Sequence, residues 1–146
     1  MATNAMIGYS TKVYYADALS PGVFTQVSEV IEVTPPNAVA DDVDATHYTS
    51  PNRTREYIQG LIEPGEASFG MNRVPGGTTE TALLALQTSG APRMFRFEWP
   101  NNTIWDFPAY VKGYETTSPI DDRMTATCTL KVTGSSTITI GSPTPP

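Results

Sequence analysis

Few residues in this 146-residue chain are of the types that do chemistry, and they do not gather. His47 is the single histidine and Cys128 the single cysteine. A nucleophilic triad needs a base beside a Ser, Thr or Cys. His47 stands in a long irregular stretch, where a histidine is ordinarily a surface residue. Cys128 falls on the apolar side of an alternating segment and reads as a small core residue, not a reactive thiol. The acids Asp41, Asp42 and Asp44 cluster, and Asp121 and Asp122 are adjacent. Neither group has the spacing of a calcium loop, and solvated turns account for both. Paired carboxylates could serve glycoside hydrolysis, but that chemistry needs a deep cleft in a larger fold. Gly76-Gly77 matches no phosphate-binding pattern. Arg93 and Arg96 make no basic stripe, and the neighbouring Phe95, Phe97, Trp99, Trp105 and Phe107 suit a sheet core better than a stacking platform. No catalytic, cofactor or metal site is expected.

Fifteen acids against nine bases give a formal charge of −6. Such a surface argues against ordinary nucleic-acid binding, which needs Lys and Arg to neutralise phosphates. One cysteine excludes an intrachain disulfide. The first residues have neither the basic nor the apolar region of a signal peptide, and no apolar run reaches the roughly 20 residues of a membrane span. The expectation is a soluble protein made in the cytoplasm, with one domain over 1–146.

The elements that would position these residues are mostly strands. Twenty-one threonines, thirteen prolines and eleven glycines favour a turn-rich β fold. Strands are expected at 12–16, 27–33, 66–72, 93–99, 103–107, 109–116, 125–133 and 137–140. The alternation is clearest at 125–133, where Ala126, Cys128, Leu130 and Val132 share one face. Ser20-Pro21-Gly22 reads as a turn. Thr78 to Ser89 is the one helix, capped by Thr78 or Thr79, helped by Glu80 in its first turn and stopped by Gly90. Residues 1–10 read as an N-terminal arm and 141–146 as a tail. Residues 34–57 show neither period and read as a long loop, either a mobile surface loop or an arm that orders when a neighbouring subunit docks. About seven or eight strands and one helix make a β-sandwich or partly open barrel flanked by the helix.

The order of these segments resembles the major tail tube proteins of non-contractile phage tails and gene transfer agents. The resemblance is carried by Ile7-Gly8-Tyr9-Ser10-Thr11 with Val13-Tyr14, by Ile31 to Pro36, and by Asp44-Ala45-Thr46-His47-Tyr48 with Ser50-Pro51. It continues through Arg55 to Leu61, Gly65 to Phe69 with Met71-Asn72, Pro119 to Arg123, and Thr133-Gly134. It implies hexameric rings whose strands join into a continuous inner β-barrel. The rings would stack around a tape-measure protein, between tail tip or baseplate proteins, into a tube that conducts DNA without binding it. The particle would be a virion or phage-like tail, assembled in a bacterial cytoplasm. The 34–57 segment would reach the adjacent ring, which makes Asp41, Asp42, Asp44, His47, Tyr48, Arg53 and Arg55 the candidate inter-ring contacts. Glu29, Glu32 and Glu66, each on an expected strand, are the candidate lumen-facing acids; the outer surface is the other place for them. An immunoglobulin-like C-terminal domain, carried by some members of that family, is not expected in this chain.

Two readings of other kinds stand beside this one. A carbohydrate-binding or adhesin sandwich would expose a row of aromatics, for which Tyr9, Tyr14, Tyr48, Tyr57 and Tyr110 are available but scattered. A tail terminator would form one ring and no tube. A small hydrolase using acids comes last.

Overall fold

The computed structural model describes residues 8–16 and 23–140; most of the N-terminal arm, the Ser20–Gly22 turn and the tail lie outside them. The strands are β1 (Lys12–Ala16), β2 (Phe24–Gln26), β3 (Val30–Thr34), β4 (Val39–Asp44), β5 (Tyr57–Glu63), β6 (Glu66–Asn72), β7 (Arg93–Glu98), β8 (Ile104–Thr117), β9 (Thr125–Val132) and β10 (Thr137–Thr139). One helix, α1 (Thr78–Ser89), lies between β6 and β7.

Eight strands form one antiparallel sheet in the order β2-β1-β7-β8-β9-β6-β3, with β10 added beside β8; β4 and β5 pair only with each other. The long sheet curls because its buried face must cover itself. Phe69 of β6, Phe95 and Phe97 of β7, Phe107 of β8 and Val13 of β1 are all essentially inaccessible. Phe107 stacks with Phe95 and meets Phe97 edge-on, at centroid separations of 6.2 and 5.1 Å, distances favourable for aromatic pairs. The result is the expected mainly β architecture: a partly open barrel, since β1 and β3 approach without pairing, with the helix against β8.

The helix ends as expected, with Gly90 in the left-handed region at φ 67. Its start differs. Gly77 is the N-cap and offers no side chain. Glu80 instead reaches back from the first turn and takes the Gly76 N–H, just ahead of the cap, at 2.7 Å. Glu80 is only 8% exposed. It also binds Arg73 Nε at 2.7 Å and receives the Tyr114 hydroxyl at 3.4 Å. The arginine, ahead of the Gly76 N–H, holds its carboxyl below the usual carboxylate range. This clamp ties the helix start to the end of β6 and to β8.

Three strand expectations are corrected. The 27–33 segment is a corner, not one strand. Val27 bonds to Val13 and is buried on the β1 side, whereas β3 begins at Val30 beside β6. Between them Glu29 takes a left-handed φ of 56, so Glu29 is not on a strand. The expected strands at 103–107 and 109–116 are one strand, β8, running through Pro108. Proline is tolerated there because its carbonyl accepts from Thr133; its nitrogen therefore faces the turn between β9 and β10, where no ladder donor is needed. Finally, the 34–57 segment is not structureless. It contains β4, a 3-10 turn at Pro51–Arg53 and the start of β5. A two-stranded ribbon buries neither face, so no apolar alternation marks it in sequence.

Candidate functional site: two open sheet edges and an arm

The four strands β3, β6, β9 and the C-terminal half of β8 form a sheet with a hydrogen-bonding edge open on either side. The last β7 residue paired to β8 is Arg93, opposite Ala109. Beyond it, β8 continues to Thr117 with β9 on one flank only. On the open flank the helix side chain Gln87 reaches the Lys112 carbonyl at 3.4 Å, but no strand of the described residues does. On the far side β3 pairs, among the described residues, with β6 alone. Each neighbouring pair is antiparallel. With three antiparallel steps between them, β3 and β8 run in opposite directions. An edge of one kind can therefore add to an edge of the other in an antiparallel ladder.

The face of this sheet turned away from the core is polar. Cross-strand partners place Glu66 opposite Lys131, Ser68 opposite Thr129, Gly70 opposite Thr127 and Asn72 opposite Thr125. Glu32 lies opposite Gly70 and Thr34 opposite Ser68. Glu115 lies opposite Thr127. It reaches this face because of a bulge between Val111 and Gly113. Before the bulge the odd-numbered β8 residues Phe107, Ala109 and Val111 are buried; after it Tyr114 pairs with buried Cys128 and the odd-numbered Glu115 is exposed. One extra residue shifts the phase of a strand in this way.

Of the three acids expected on the lumen, Glu32 and Glu66 therefore share this face, and Glu29 stands at the corner before β3. Lys131 falls on the polar face of the alternating 125–133 segment, but Glu115 and Lys112 were not anticipated. Finding Glu115 required the bulge, for which Gly113 within the strand is the one local sign. Lys112 Nζ bonds Glu66 Oε1, and Lys131 Nζ bonds Glu63 Oε1 at 3.3 Å. The Lys112 contact lowers the Glu66 carboxyl and raises the Lys112 amine relative to their ordinary values.

The arm is the β4–β5 ribbon. Val43 faces Ile58 and Ala40 faces Ile62 across it, and a bulge between Ala40 and Asp42 accommodates Gly60 and Leu61. A Cβ at Gly60 would come within 2.9 Å of the Val43 side chain, so the close pairing needs glycine there. Val39, Val43, Tyr57, Ile58 and Ile62 are exposed, and Leu61 is 85% exposed. Apolar side chains this open, on a ribbon with no layer behind it, mark an interaction surface. Sequence reasoning singled out the polar residues of the arm and missed this apolar set, because it read 34–57 as a loop and assigned no element to 58–65.

The tip is closely bonded. Ala45 N–H donates to the Glu56 carbonyl at 2.8 Å, and the Thr46 hydroxyl accepts the Glu56 N–H at 2.8 Å. Thr46, through its side chain and its N–H, holds the Asp44 carboxyl below its ordinary value, with Arg55 Nη1 adding to this from 3.4 Å. His47 Nε2 meets Glu56 Oε2 at 3.2 Å, and Ser50 Oγ donates to the same oxygen at 2.7 Å. This is a His, a Ser and a carboxylate together, in the wrong order for catalysis. The serine is bonded to the carboxylate and not to an imidazole nitrogen that could take its proton. Tyr48 is fully exposed at the apex. Asp41 and Asp42 lie along β4, and Arg53 closes the 3-10 turn in a left-handed conformation. The candidate contact residues thus divide between the ribbon (Asp41, Asp42, Asp44) and the tip (His47, Tyr48, Arg53, Arg55).

Comparison with known proteins bears on this arrangement. Among curated proteins none matches the chain by sequence. Solved structures do match by fold. A chain of the native gene transfer agent virion is 15% identical, with a TM-score of 0.71 over 92% of this chain and 99% of that one. A chain of the anti-feeding prophage baseplate gives 0.74 at 8% identity, over 95% and 97%. The SPP1 tail tube protein gives 0.64 at 12% identity, over 94% and 80%. The family model for the lambda phage tail tube protein matches residues 7–139. With that match running from ahead of β1 to the end of β10, the chain belongs to the lambda phage tail tube protein family and is a structural tail tube protein, not an enzyme.

Proposed function

We propose that six copies of this chain close into a ring by adding β3 of one copy to the C-terminal half of β8 of the next. The observation that carries this is the pair of open edges on opposite sides of one four-stranded sheet, running in opposite directions. Repeating the sheet around an axis leaves no free edge, which is how barrels remove the hazard of unpaired strands. The polar face becomes the lumen, lined by Glu32, Glu66 and Glu115 among threonines. The apolar face stays packed against the rest of the domain.

The size is compatible with six. Four strands from each of six copies, about 4.8 Å apart and tilted about 40°, give a backbone diameter of about 48 Å. Side chains standing about 5 Å from the sheet leave a bore of about 38 Å, enough for a DNA duplex. Three copies would leave about 14 Å by the same arithmetic, too narrow for one. A tail of a gene transfer agent particle that shares this fold has C6 symmetry. The bore would hold a tape-measure protein until DNA replaces it, and tail tip or baseplate proteins would nucleate the first ring.

The arm would make the axial contact. Its strands bond only to each other, so its exposed Leu61, Ile58 and Ile62 serve no part of the domain that carries them. Docked on the next ring, they would be covered and the stack would lengthen. A terminator ring is the second reading, since the anti-feeding prophage tube-terminating cap has the same fold, with a TM-score of 0.72. The apolar ribbon favours a stacking subunit.

Cysteine cross-linking tests the ring. Glu32→Cys combined in turn with Glu115→Cys, Thr116→Cys or Thr117→Cys places thiols on both edges, while Cys128 is buried. Oxidation of concentrated protein should give a ladder of species ending at a closed hexamer for at least one pair. No cross-link from any pair would defeat the β3–β8 junction. Replacing Val39–Glu63 with a short glycine link should leave a folded protein that forms rings but no tubes. Tubes from that variant would defeat the role of the arm.

A further inference from the structure

We infer that Glu63 and Glu66 act as masking residues, holding Lys112 and Lys131 in ion pairs so that the polar face offers no free cation to the phosphates of double-stranded DNA. The inference rests on the lumenal reading of that face. A tube that delivers DNA has to let it slide, and low overall charge does not secure this. Six copies carry a formal charge of −36, six times −6, yet a ring of unpaired lysines in the wall would still grip phosphates locally, because each contact releases a condensed counterion.

The polar face carries two lysines among its described residues, one on β8 and one on β9. Both are spoken for. Lys112 is bound by Glu66, and Lys131 is bound by Glu63 while standing directly opposite Glu66. The two pairs form a short alternating row, Glu63–Lys131–Glu66–Lys112, across the end of the sheet. Lys131 therefore cannot turn to a phosphate without leaving two carboxylates. Exposed ion pairs of this kind add little to stability. Their effect here is on what the surface presents. Glu32 and Glu115, on the same face, stand in no ion pair with the described residues and add repulsion at the middle of the strands. The lysines in turn keep the cluster of acids from spreading the ring, since a wholly acidic wall would repel itself across each subunit junction.

The test compares the Glu63→Gln/Glu66→Gln double variant with Glu98→Gln/Asp122→Asn, which removes the same two charges away from the polar face. Binding is read with a short fluorescein-labelled duplex, by anisotropy at low salt, on both unassembled protein and tubes. The masking variant should bind the duplex at least tenfold more tightly than wild type. Its logarithmic salt dependence should steepen by about 1.8 per subunit, for two freed lysines. The control should stay near wild type. Adding Lys112→Ala and Lys131→Ala to the masking variant should restore the weak binding. Equal binding by both double variants would overturn the inference, as would no gain in either. Both outcomes can be read on unassembled protein, so they do not depend on ring closure. Failure of the β3–β8 cross-links would instead remove the lumenal placement and leave the masking result standing as a surface property.

Discussion

Gly65 is the place where the arm is rooted in the domain, and replacing it with alanine separates two costs that are usually confounded. The residue lies in the turn between β5 and β6, at φ +81, and its carbonyl accepts the Val132 N–H. A Cβ there would stand 2.3 Å from the Asn37 carbonyl oxygen, on the chain that leads from β3 into the arm. The left-handed conformation alone costs an alanine about 1 kcal/mol. Relieving the collision requires the Asn37 backbone to retreat by roughly 0.7 Å or more, at about 2 kcal/mol further, the scale of overpacking in a tight site. Gly76 is the internal reference: its φ is +72 and a Cβ there would meet nothing within 4 Å. The benefit of a stiffer unfolded chain applies to both substitutions. Urea unfolding of the unassembled protein should show Gly65→Ala losing about 3 kcal/mol and Gly76→Ala about 1 kcal/mol, with m unchanged in both. For a chain of this length the melting temperatures should fall by about 10 °C and about 3 °C. Tube formation should be impaired only by Gly65→Ala, since only that change displaces the root of the arm. Equal losses for the two variants would refute the close approach of Asn37, and with it the fixed direction of the arm.

Further expectations follow from the helix clamp and the core thiol. Glu80→Ala should cost about 3 kcal/mol, because it leaves the Arg73 guanidinium and the Gly76 N–H without their acceptor; a loss under 1 kcal/mol in urea would show the clamp to be dispensable. Since the folded-state pKa of Glu80 is depressed, its contribution is present above the ordinary carboxylate pKa and fades as pH falls through the folded value, so the gap between wild type and Glu80→Gln should close in acid. Cys128 is inaccessible and burial pushes its thiol up to about 12; maleimide at pH 8 should modify it only as fast as the protein unfolds, and immediate labelling of native protein would contradict its place in the core.

What could be read from the sequence depended on whether a segment has one buried face. β6 and β9 do. Their alternation, with Ala67, Phe69 and Met71 inward and Thr125, Thr127 and Thr129 outward, is the pattern the structure shows. The stop of α1 at Gly90 was equally legible, because a left-handed helix end leaves little choice of residue. Its start was not, since Gly77 at the boundary offers no capping side chain and the contact that fixes the start comes from a carboxylate three residues into the helix. The corner at Ser28–Glu29 was hidden because Val27 and Val30, with only two residues between them in a segment rich in β-branched side chains, pair on different sides of the opening, Val27 with β1 and Val30 with β6. β8 was divided at Pro108 because a proline normally ends a strand, and only the partner change on that flank, from β10 to β9, makes it harmless.

The parts that sequence reasoning read least well are those that the proposed ring and stack would cover. β4 and β5 carry no periodic signal because neither face is buried within one chain; an exposed Leu61 beside an exposed Ile62 has no explanation inside the domain. The open half of β8 likewise looks like an ordinary strand until β7 is seen to stop at Arg93. The bulge at Lys112 connects the two scales. Upstream of it β8 serves the core of its own domain, with Phe107, Ala109 and Val111 buried. Downstream, the shifted phase turns Glu115 outward and leaves a clean hydrogen-bonding edge beside it. A strand that kept one phase over all fourteen residues would bury Glu115 and expose Tyr114. The Tyr114 hydroxyl would then leave Glu80, and the helix clamp and the outward-facing acid would be lost together. A single inserted residue thus lets one strand close the monomer at one end and remain open to a neighbour at the other, so that deleting Lys112 should damage folding and ring closure alike.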